Sequence, residues 1–348
     1  MELRDLDTRG GEWLRGDGAQ GDVVISSRVR LARTIAGFSF LSRASEADRR
    51  EIIDSLRGPL MALGLTSRAF WMDLEDADRL DTRILVERHL ISRELESARG
   101  PRGVCFGSDE VVSAMVNEED HLRLQTIRAS LALDEAWHTA VEIDQALEKE
   151  VGFATSERFG YLTACPTNVG TGLRASVMLH LPALVHLKQI ERVFRAANRT
   201  GLTVRGFYGE GTMASGDLYQ ISNQITLGRT EEEILSSLKT MLPRFLSYEH
   251  RCREELTTRG RMKLEDKCHR ALAILRSART LTSEEAMQFL SAVRLGAVLE
   301  ILPQVTLPQV NELFVLTQPA HLQKLEGSAL EPEDRDIRWA AFVRNCLA

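Results

Sequence analysis

The sequence predicts an α+β fold: an antiparallel-rich sheet flanked by helices, followed by an all-helical C-terminal domain. Three observations carry this. Short segments with period-two alternation recur between Val23 and Leu227, the spacing of strands that bury one face. Interleaved segments place apolar residues every three or four positions, the spacing of helices packed on a sheet. After Thr230 only the helical pattern persists. A chain of 348 residues exceeds one comfortable core, so a larger and a smaller domain are expected.

Residues 1–21 are polar and glycine-rich, with Trp13 and Leu14 to anchor them, and are expected to form a flexible lead-in. Val23 to Ile25 starts a strand that runs into S-S-R-V-R-L-A-R, where alternation puts Arg28 and Arg30 on one face. Ser45 can cap a helix to about Leu63 with Ile52, Ile53, Leu56 and Leu60 inward. A second helix, about Asp76 to Leu90, delivers His89 to a loop. Strands follow near Val104, at Val111 to Val116 and from Leu122, then a helix at Trp137 to Val151 and a strand at Tyr161 to Thr163. Val177 to Leu181 alternates; Leu184 to Ala197 is expected as one helix, with strands at Leu202 to Arg205 and Leu218 to Leu227 around the loop F-Y-G-E-G-T-M-A-S-G. Pro243 is expected to kink the next helix. Thr282 and Glu285 form a capping box, and Pro332 starts a last helix through Arg335 to Leu347. T-T-R-G-R marks the domain boundary, giving a catalytic domain over 22–255 and a helical domain over 256–348.

Composition excludes several classes. A net charge of −6 and a pI near 5.9 argue against a general binder of nucleic acid or anionic membranes. The 5 cysteines are odd in number and form no C-x-x-C pair, which argues against zinc and disulfide frameworks and for a reducing cytoplasm. The start of the chain lacks the pattern of a signal peptide, and no stretch approaches a membrane span. Lysines are few, so most positive charge is arginine, whose planar fork grips phosphate and carboxylate bidentately.

The stretch A-C-P-T-N-V-G-T-G-L-R-A-S, Ala164 to Ser176, contains G-x-G-x-x-A. That pattern signals a dinucleotide only between a strand and a helix. Here Val177, Leu179 and Leu181 alternate like a strand, so the reading fails. No Walker loop is present either. Phosphate, if bound, needs another partner, and Arg28, Arg30, Arg123, Arg174 and Arg205 all fall at the ends or edges of expected strands. Opposite them stand two acidic loops, Asn117 to Asp120 and Gly209 to Gly211. Each carboxylate alone reads as a hydrated turn; together Glu118, Glu119 and Glu210 suggest a pocket for a cation such as a guanidinium.

The segments S-S-R-V-R-L-A-R, V-N-E-E-D-H-L-R-L-Q, C-P-T-N-V-G-T-G-L-R-A-S-V and R-G-F-Y-G-E-G-T, in this order, resemble the catalytic half of the phosphagen (guanidino) kinases, and within them the bacterial protein-arginine kinases. The likeness covers roughly residues 13–250 strongly and the C-terminal helices more weakly. It implies an ATP site made by Ser26, Ser27, Arg28, Val29, Arg30, His89, Arg123, Arg174, the backbone of Ala175, Ser176, Val177 and Met178, and Arg205, Gly206, Phe207, Tyr208, Gly209 and Glu210. Glu119 would be the principal carboxylate on the substrate guanidinium, with Glu210 opposite, Glu118 alongside and Cys165 touching it as a thiolate. Magnesium would be bound through the nucleotide rather than by protein ligands.

The resemblance further implies phosphorylation of arginine in proteins, in protein quality control. Its partners would be protein substrates, an activator and a Clp-type unfoldase or protease, and the protein a cytoplasmic homodimer. Small-molecule guanidino kinases carry an additional N-terminal helical domain that helps close over free creatine or arginine. With the arginine-bearing strand starting near residue 23, that lid is expected to be missing and the site open to a protein surface. Protein-arginine kinases also carry R-D-x-x-R-A, associated with phosphoarginine binding. This chain reads R-D-I-R-W-A, keeping Arg335 and Asp336 with Trp339 in place of the second arginine, and an ordinary helix start is the competing reading. A kinase for free arginine and a phosphoarginine-binding adaptor or repressor stay open as alternatives.

Overall fold

The computed structural model describes residues 10–206, 215–326 and 332–348. In chain order the strands are β1 (Val24–Arg33), β2 (Ala69–Asp73), β3 (Gly103–Gly107), β4 (Val112–Val116), β5 (Leu122–Ala129), a small hairpin of β6 (Thr155–Ser156) and β7 (Gly160–Tyr161), β8 (Leu173–His180), β9 (Leu202–Gly206) and β10 (Leu218–Asn223). Eight of them form one sheet in the order β2-β3-β4-β5-β1-β8-β10-β9. Every pairing in it is antiparallel. β1 therefore lies in the middle.

Register decides what each face carries. Arg28 stands opposite Ile127 and Ser176, Arg30 opposite Gln125 and Arg174, and Ala32 opposite Arg123. Met178 pairs with both Ser26 and Gln220, and Gln220 with Arg205. Paired residues share a face and neighbours along a strand alternate. All five expected arginines thus project from one face. The other face presents Val29, Leu31, Leu124, Ala175, Val177 and Ile221, all buried, and it is covered by α1 (Glu46–Ala62), α4 (Leu133–Val151) and α7 (Glu231–Arg259).

α1 forms where its sequence specifies it. The Ser45 hydroxyl accepts from the Asp48 N–H and Asp48 returns the bond to Ser45, a complete capping box. Ile52, Ile53, Leu56 and Leu60 are its buried residues, each contributing roughly 1.5–3 kcal/mol by leaving water. Leu56→Ala would cost about 2–5 kcal/mol.

α2 (Arg79–Glu87) and α3 (Arg93–Ser97) are capped by Asp78 and Ser92. They cover one end of the arginine-bearing face, where Leu85, Leu90, Ile91 and Leu95 pack with Val104, Phe106 and Met115. This closes one side of the site. Between the two helices the chain turns at His89, with φ of 60°.

After β8 come α5 (Pro182–His186) and α6 (Ile190–Asn198). The apolar spacing predicts one helix here, but Lys188 adopts φ of 57°, which no right-handed helix can pass through. α7 runs on unbroken with Pro243 inside it. The C-terminal helices are α8 (Arg261–Ser277), α9 (Ser283–Val298), α10 (Leu307–Leu316), α11 (Pro319–Glu326) and α12 (Pro332–Cys346), and the Thr282–Glu285 box starts α9 as expected.

The lead-in differs from its sequence reading where it is described. From Gly10 it packs between β5 and α10, with Trp13 and Leu14 buried. Asn311 of α10 donates to the Leu14 carbonyl at 2.9 Å, and buried Arg294 of α9 donates to the carbonyls of Gly21 and Asp22 at 2.7 and 2.9 Å. Burial pushes the Arg294 guanidinium down to about 9. Two apolar anchors and these backbone carbonyls suffice to order a segment whose composition looks mobile. All five cysteines are free, and no helix among the described residues is long and apolar enough to cross a membrane.

Candidate active site

The arginine-rich end of the site is built on β1, β8 and β10. Arg28 donates through Nη2 to Gln220 Oε1 at 2.6 Å. Burial, and then the charges of Arg174 and Arg123, push Arg28 down to about 10. Arg30 is lowered well below the usual arginine range by burial, then by Arg28, Arg123 and Arg174, with Glu118 acting the other way. A guanidinium stays protonated regardless; the lowering reflects burial first and the crowding of positive charge second. Arg30 Nε, Ser176 Oγ and Ser222 Oγ are buried without hydrogen-bond partners among the described residues. Orphaned buried polar groups are costly unless a ligand completes them. The residues present therefore fit a polyphosphate.

Not every residue implied for the nucleotide points there. Val29, Ala175 and Val177 are fully buried on the helix-covered face and offer only backbone, which pairs along β1 and β8 and, at the Ala175 N–H, donates to Asn223 Oδ1 at 2.8 Å. Ser27 also turns that way, donating to the Ser130 carbonyl at 2.8 Å and accepting from the Ala132 N–H at 3.0 Å. Ser26, Arg28, Arg30, Arg174, Ser176, Met178 and Arg205 lie on the arginine-bearing face. Gly206 ends β9, and Phe207, Tyr208, Gly209 and Glu210 lie outside the described residues.

A shallow pocket at this end is lined by Trp13, Ser26, Arg28, His89, Ile127, Ser176, Met178 and Gln220. The His89 and Trp13 rings meet edge-on, centroids 5.4 Å apart at 70°. Burial, then Arg28, Arg93 and Arg30, push His89 down to about 3. Its imidazole is neutral at physiological pH. The pocket encloses only about 10 Å³, so apolar walls, a neutral imidazole and an amide here make an uncharged surface beside the cationic row and not a cavity already open to a ring.

The carboxylates lie on the loop between β4 and β5. Arg123 forks across both glutamates, bonding Glu118 Oε1 through Nη1 and Glu119 Oε2 through Nη2, the latter at 3.1 Å. Glu118 is enclosed and also accepts from Ser92 Oγ, while Glu119 is 42% exposed. Asp120 is buried, accepts from the Ala164 N–H at 2.5 Å, and is raised to about 6, chiefly by burial. One residue beyond Ala164 is Cys165, half-buried, with Sγ 3.1 Å from Thr167 Oγ1. Asp120 thus ties the glutamate loop to the cysteine turn.

The glycines of that turn have a packing reason. A side chain at Gly170 (φ 109°) would sit 2.7 Å from the Thr226 carbonyl, and one at Gly172 (φ 64°) 2.5 Å from the Ala32 carbonyl. Thr226 Oγ1 lies 2.8 Å from the Thr167 carbonyl and 2.7 Å from that of Val169, gripping the turn from the far side. The G-x-G pattern lets backbones approach.

Away from this site, the Arg335 guanidinium lies 5.8 Å from the centroid of the Trp339 ring within α12, and Trp339 is buried. The Asp336 carbonyl accepts from the Leu281 N–H at 3.0 Å.

Sequence reasoning missed Trp13, Ser92, Gln125 and Gln220. Gln220 had a signal in its alternation with Leu218 and Ser222 on a strand beside the arginines. Trp13 had none beyond being aromatic.

A twisted antiparallel sheet that sets a row of arginines against a carboxylate loop and a cysteine turn defines a phosphotransferase acting on guanidine groups. Residues 52–252, more than half of the chain, match the ATP:guanido phosphotransferase C-terminal catalytic domain, and residues 261–348 match the protein-arginine kinase McsB C-terminal domain. The chain belongs to the ATP:guanido phosphotransferase family. It is 46% identical over 339 residues to a protein-arginine kinase of Symbiobacterium thermophilum, covering 97% of this chain and 96% of that one. A protein-arginine kinase of Geobacillus stearothermophilus is 44% identical over 338 residues, 96% of this chain and 93% of that one. Among solved structures, the duplicated taurocyamine kinase from Schistosoma mansoni with bound transition-state analogue components superposes with a TM-score of 0.60 and 29% identity, covering 69% of this chain and 34% of that one. Lombricine kinase shares the fold, with a TM-score of 0.60 over 70% of this chain and 72% of that one at 24% identity.

Proposed function

We propose that this chain transfers the γ-phosphoryl group of ATP to a guanidinium nitrogen of arginine side chains in proteins. The observation that carries this is the single sheet face on which Arg28, Arg30, Arg123, Arg174 and Arg205 lead to Glu118, Glu119 and Cys165. The full-length likeness to protein-arginine kinases supports a protein-borne acceptor.

The base enters the pocket beside His89 and Trp13, and the phosphates lie along the arginine row. Magnesium, bound through the nucleotide, would supply further charge neutralisation there. Arg123 leaves its fork on Glu118 and Glu119 for the phosphate, and the freed carboxylates receive the incoming guanidinium. That guanidinium is protonated, with a pKa above about 12. The new N–P bond forms as the bond between the γ-phosphorus and its bridging oxygen breaks, with that electron pair leaving on ADP. Glu119 orients the nitrogen and accepts its proton as the bond forms. In-line placement and charge neutralisation supply most of the rate. A cytoplasmic homodimer working with an activator and a Clp-type unfoldase or protease in quality control completes the reading, on the strength of the resemblance.

The test is incubation with magnesium and ATP followed by mass spectrometry under non-acidic conditions. Phosphate is expected on arginines of an unfolded protein and not on free arginine. Equal phosphorylation of free arginine would overturn the protein-kinase reading. Unchanged labelling by Glu119→Ala would overturn the role of that carboxylate.

A further inference from the structure

Polar contacts tie the C-terminal helices to the turn that carries His89. Glu87, the last residue of α2, accepts from the N–H groups of Ala320 and His321 at 2.8 and 3.1 Å, in the first turn of α11. The same carboxylate lies 2.8 Å from His321 Nδ1. The other ring nitrogen, Nε2, is 3.4 Å from Arg88 Nη1, and Arg88 reaches Glu110 Oε1 through Nε at 2.6 Å. Lys324, one turn further along α11, bonds Asp81 at 2.5 Å. Arg88, Glu110 and His321 are each at most 2% exposed. Arg88 can only donate, so Nε2 accepts and Nδ1 carries the hydrogen donated to Glu87; the roles follow from the partners.

The next residue after Arg88 is His89, in the left-handed region at φ 60°. Such a conformation in a non-glycine residue persists only where its surroundings over-determine it. The fixing groups can be named. Its N–H reaches the Val86 carbonyl at 3.0 Å, its carbonyl accepts from Gln125 Nε2 at 2.6 Å, and Glu87 and Arg88 immediately before it are clamped by His321. Its ring then meets Trp13 at the pocket wall. A residue of the C-terminal helices therefore sets a wall of a pocket on the sheet.

We propose that His321 is a positioning residue for the nucleotide. By holding Glu87 and Arg88 it fixes the His89 turn, and so the base end of the pocket, while leaving the arginine row untouched. The inference rests on the reading of this face as the ATP site. It also gives the C-terminal helices a direct mechanical hold on nucleotide affinity, since any shift of α11 must move Glu87.

The test compares binding of ATP with that of inorganic tripolyphosphate, which presents the same phosphates without a base, by calorimetry on the full chain. His321→Ala is expected to weaken ATP by about tenfold and tripolyphosphate by less than about twofold, with the KM for ATP rising more than kcat falls. Glu87→Gln keeps the shape, guards against a folding defect, and is expected to give the same selective loss at about threefold. The double variant should be no weaker than the worse single one, because both act through one contact. A histidine that merely glues two helices would lower the melting temperature and leave the ratio of ATP to tripolyphosphate affinity unchanged, and that result overturns the proposal. Wild type that binds neither ligand would overturn the ATP-site reading itself; wild type that binds both, with an unchanged ratio in His321→Ala, overturns only the positioning role.

Discussion

β1 sends arginines to both sides of the sheet, and the two sides treat them differently. Arg33, on the helix-covered side, donates through Nε and Nη2 to Asp144 Oδ2 at 3.2 and 2.8 Å and through Nη1 to the carbonyls of Ala32 and Thr171. Its guanidinium also lies 3.6 Å from the centroid of the Tyr161 ring. Three positions earlier, Arg30 sits half-buried among other guanidinium groups, with its Nε lacking a hydrogen-bond partner among the described residues and the Glu118 carboxylate easing its charge. A buried charge with its partners in the protein is structural. A crowded one without them is prepared for a partner that arrives, and both are set by a period of two along one strand.

Substitutions can break this contrast, and the largest effect belongs to the open side. Arg30→Ala is expected to lower kcat/KM by about 10³- to 10⁵-fold, the range for an arginine that neutralises a migrating phosphoryl group, with thermal stability unchanged or higher. Initial rates and a melting curve on the same preparation check both halves. Arg33→Ala should do the reverse, costing about 3–5 kcal/mol in urea unfolding because Asp144 is left buried and unpaired.

A smaller effect concerns pH. The Asp120 carboxyl is raised to about 6 by burial, so kcat/KM should fall about tenfold per unit as pH drops below about 6, and Asp120→Asn should remove that limb. The sign for stability is opposite. Between about pH 4 and 6 the folded state holds a proton that the unfolded chain has released, so this group's contribution is greatest in acid and is lost as pH rises through about 6. The smallest effect is expected for Lys239→Ala, whose ion pair with Asp134 is 44% and 59% exposed. It should change stability by less than about 1 kcal/mol, against the several lost at Arg33.

Local patterns made much of this legible. The Ser45 cap, the four inward residues of α1 and the strand alternation that removed a dinucleotide loop at Gly170 to Ala175 all follow from local sequence pattern. Strand parity put Arg28 and Arg30 together, and register then added Arg123, Arg174 and Arg205, which no single segment could reveal. β2 escaped because A-F-W-M-D is half-buried along most of its length and shows no alternation. The division of α5 from α6 depends on one left-handed residue at Lys188, which carries no compositional mark. The resemblance assigns Arg123 to phosphate and Glu118 and Glu119 to the acceptor, yet they bond one another here; sequence spacing cannot tell a partner from a future competitor. Trp13 and His321 reach the His89 turn from opposite ends of the chain, beyond any local signal.

The most direct measurement is the thermal unfolding of wild type, Arg30→Ala and Arg33→Ala with and without ATP. At about a hundred times its Kd, ATP should stabilise wild type by about 2.7 kcal/mol. Arg30→Ala should be at least as stable as wild type without ATP and gain little from it, while Arg33→Ala should start far less stable and still respond. An Arg30→Ala protein that is as weakened as Arg33→Ala, or that ATP stabilises as strongly as wild type, would contradict the account.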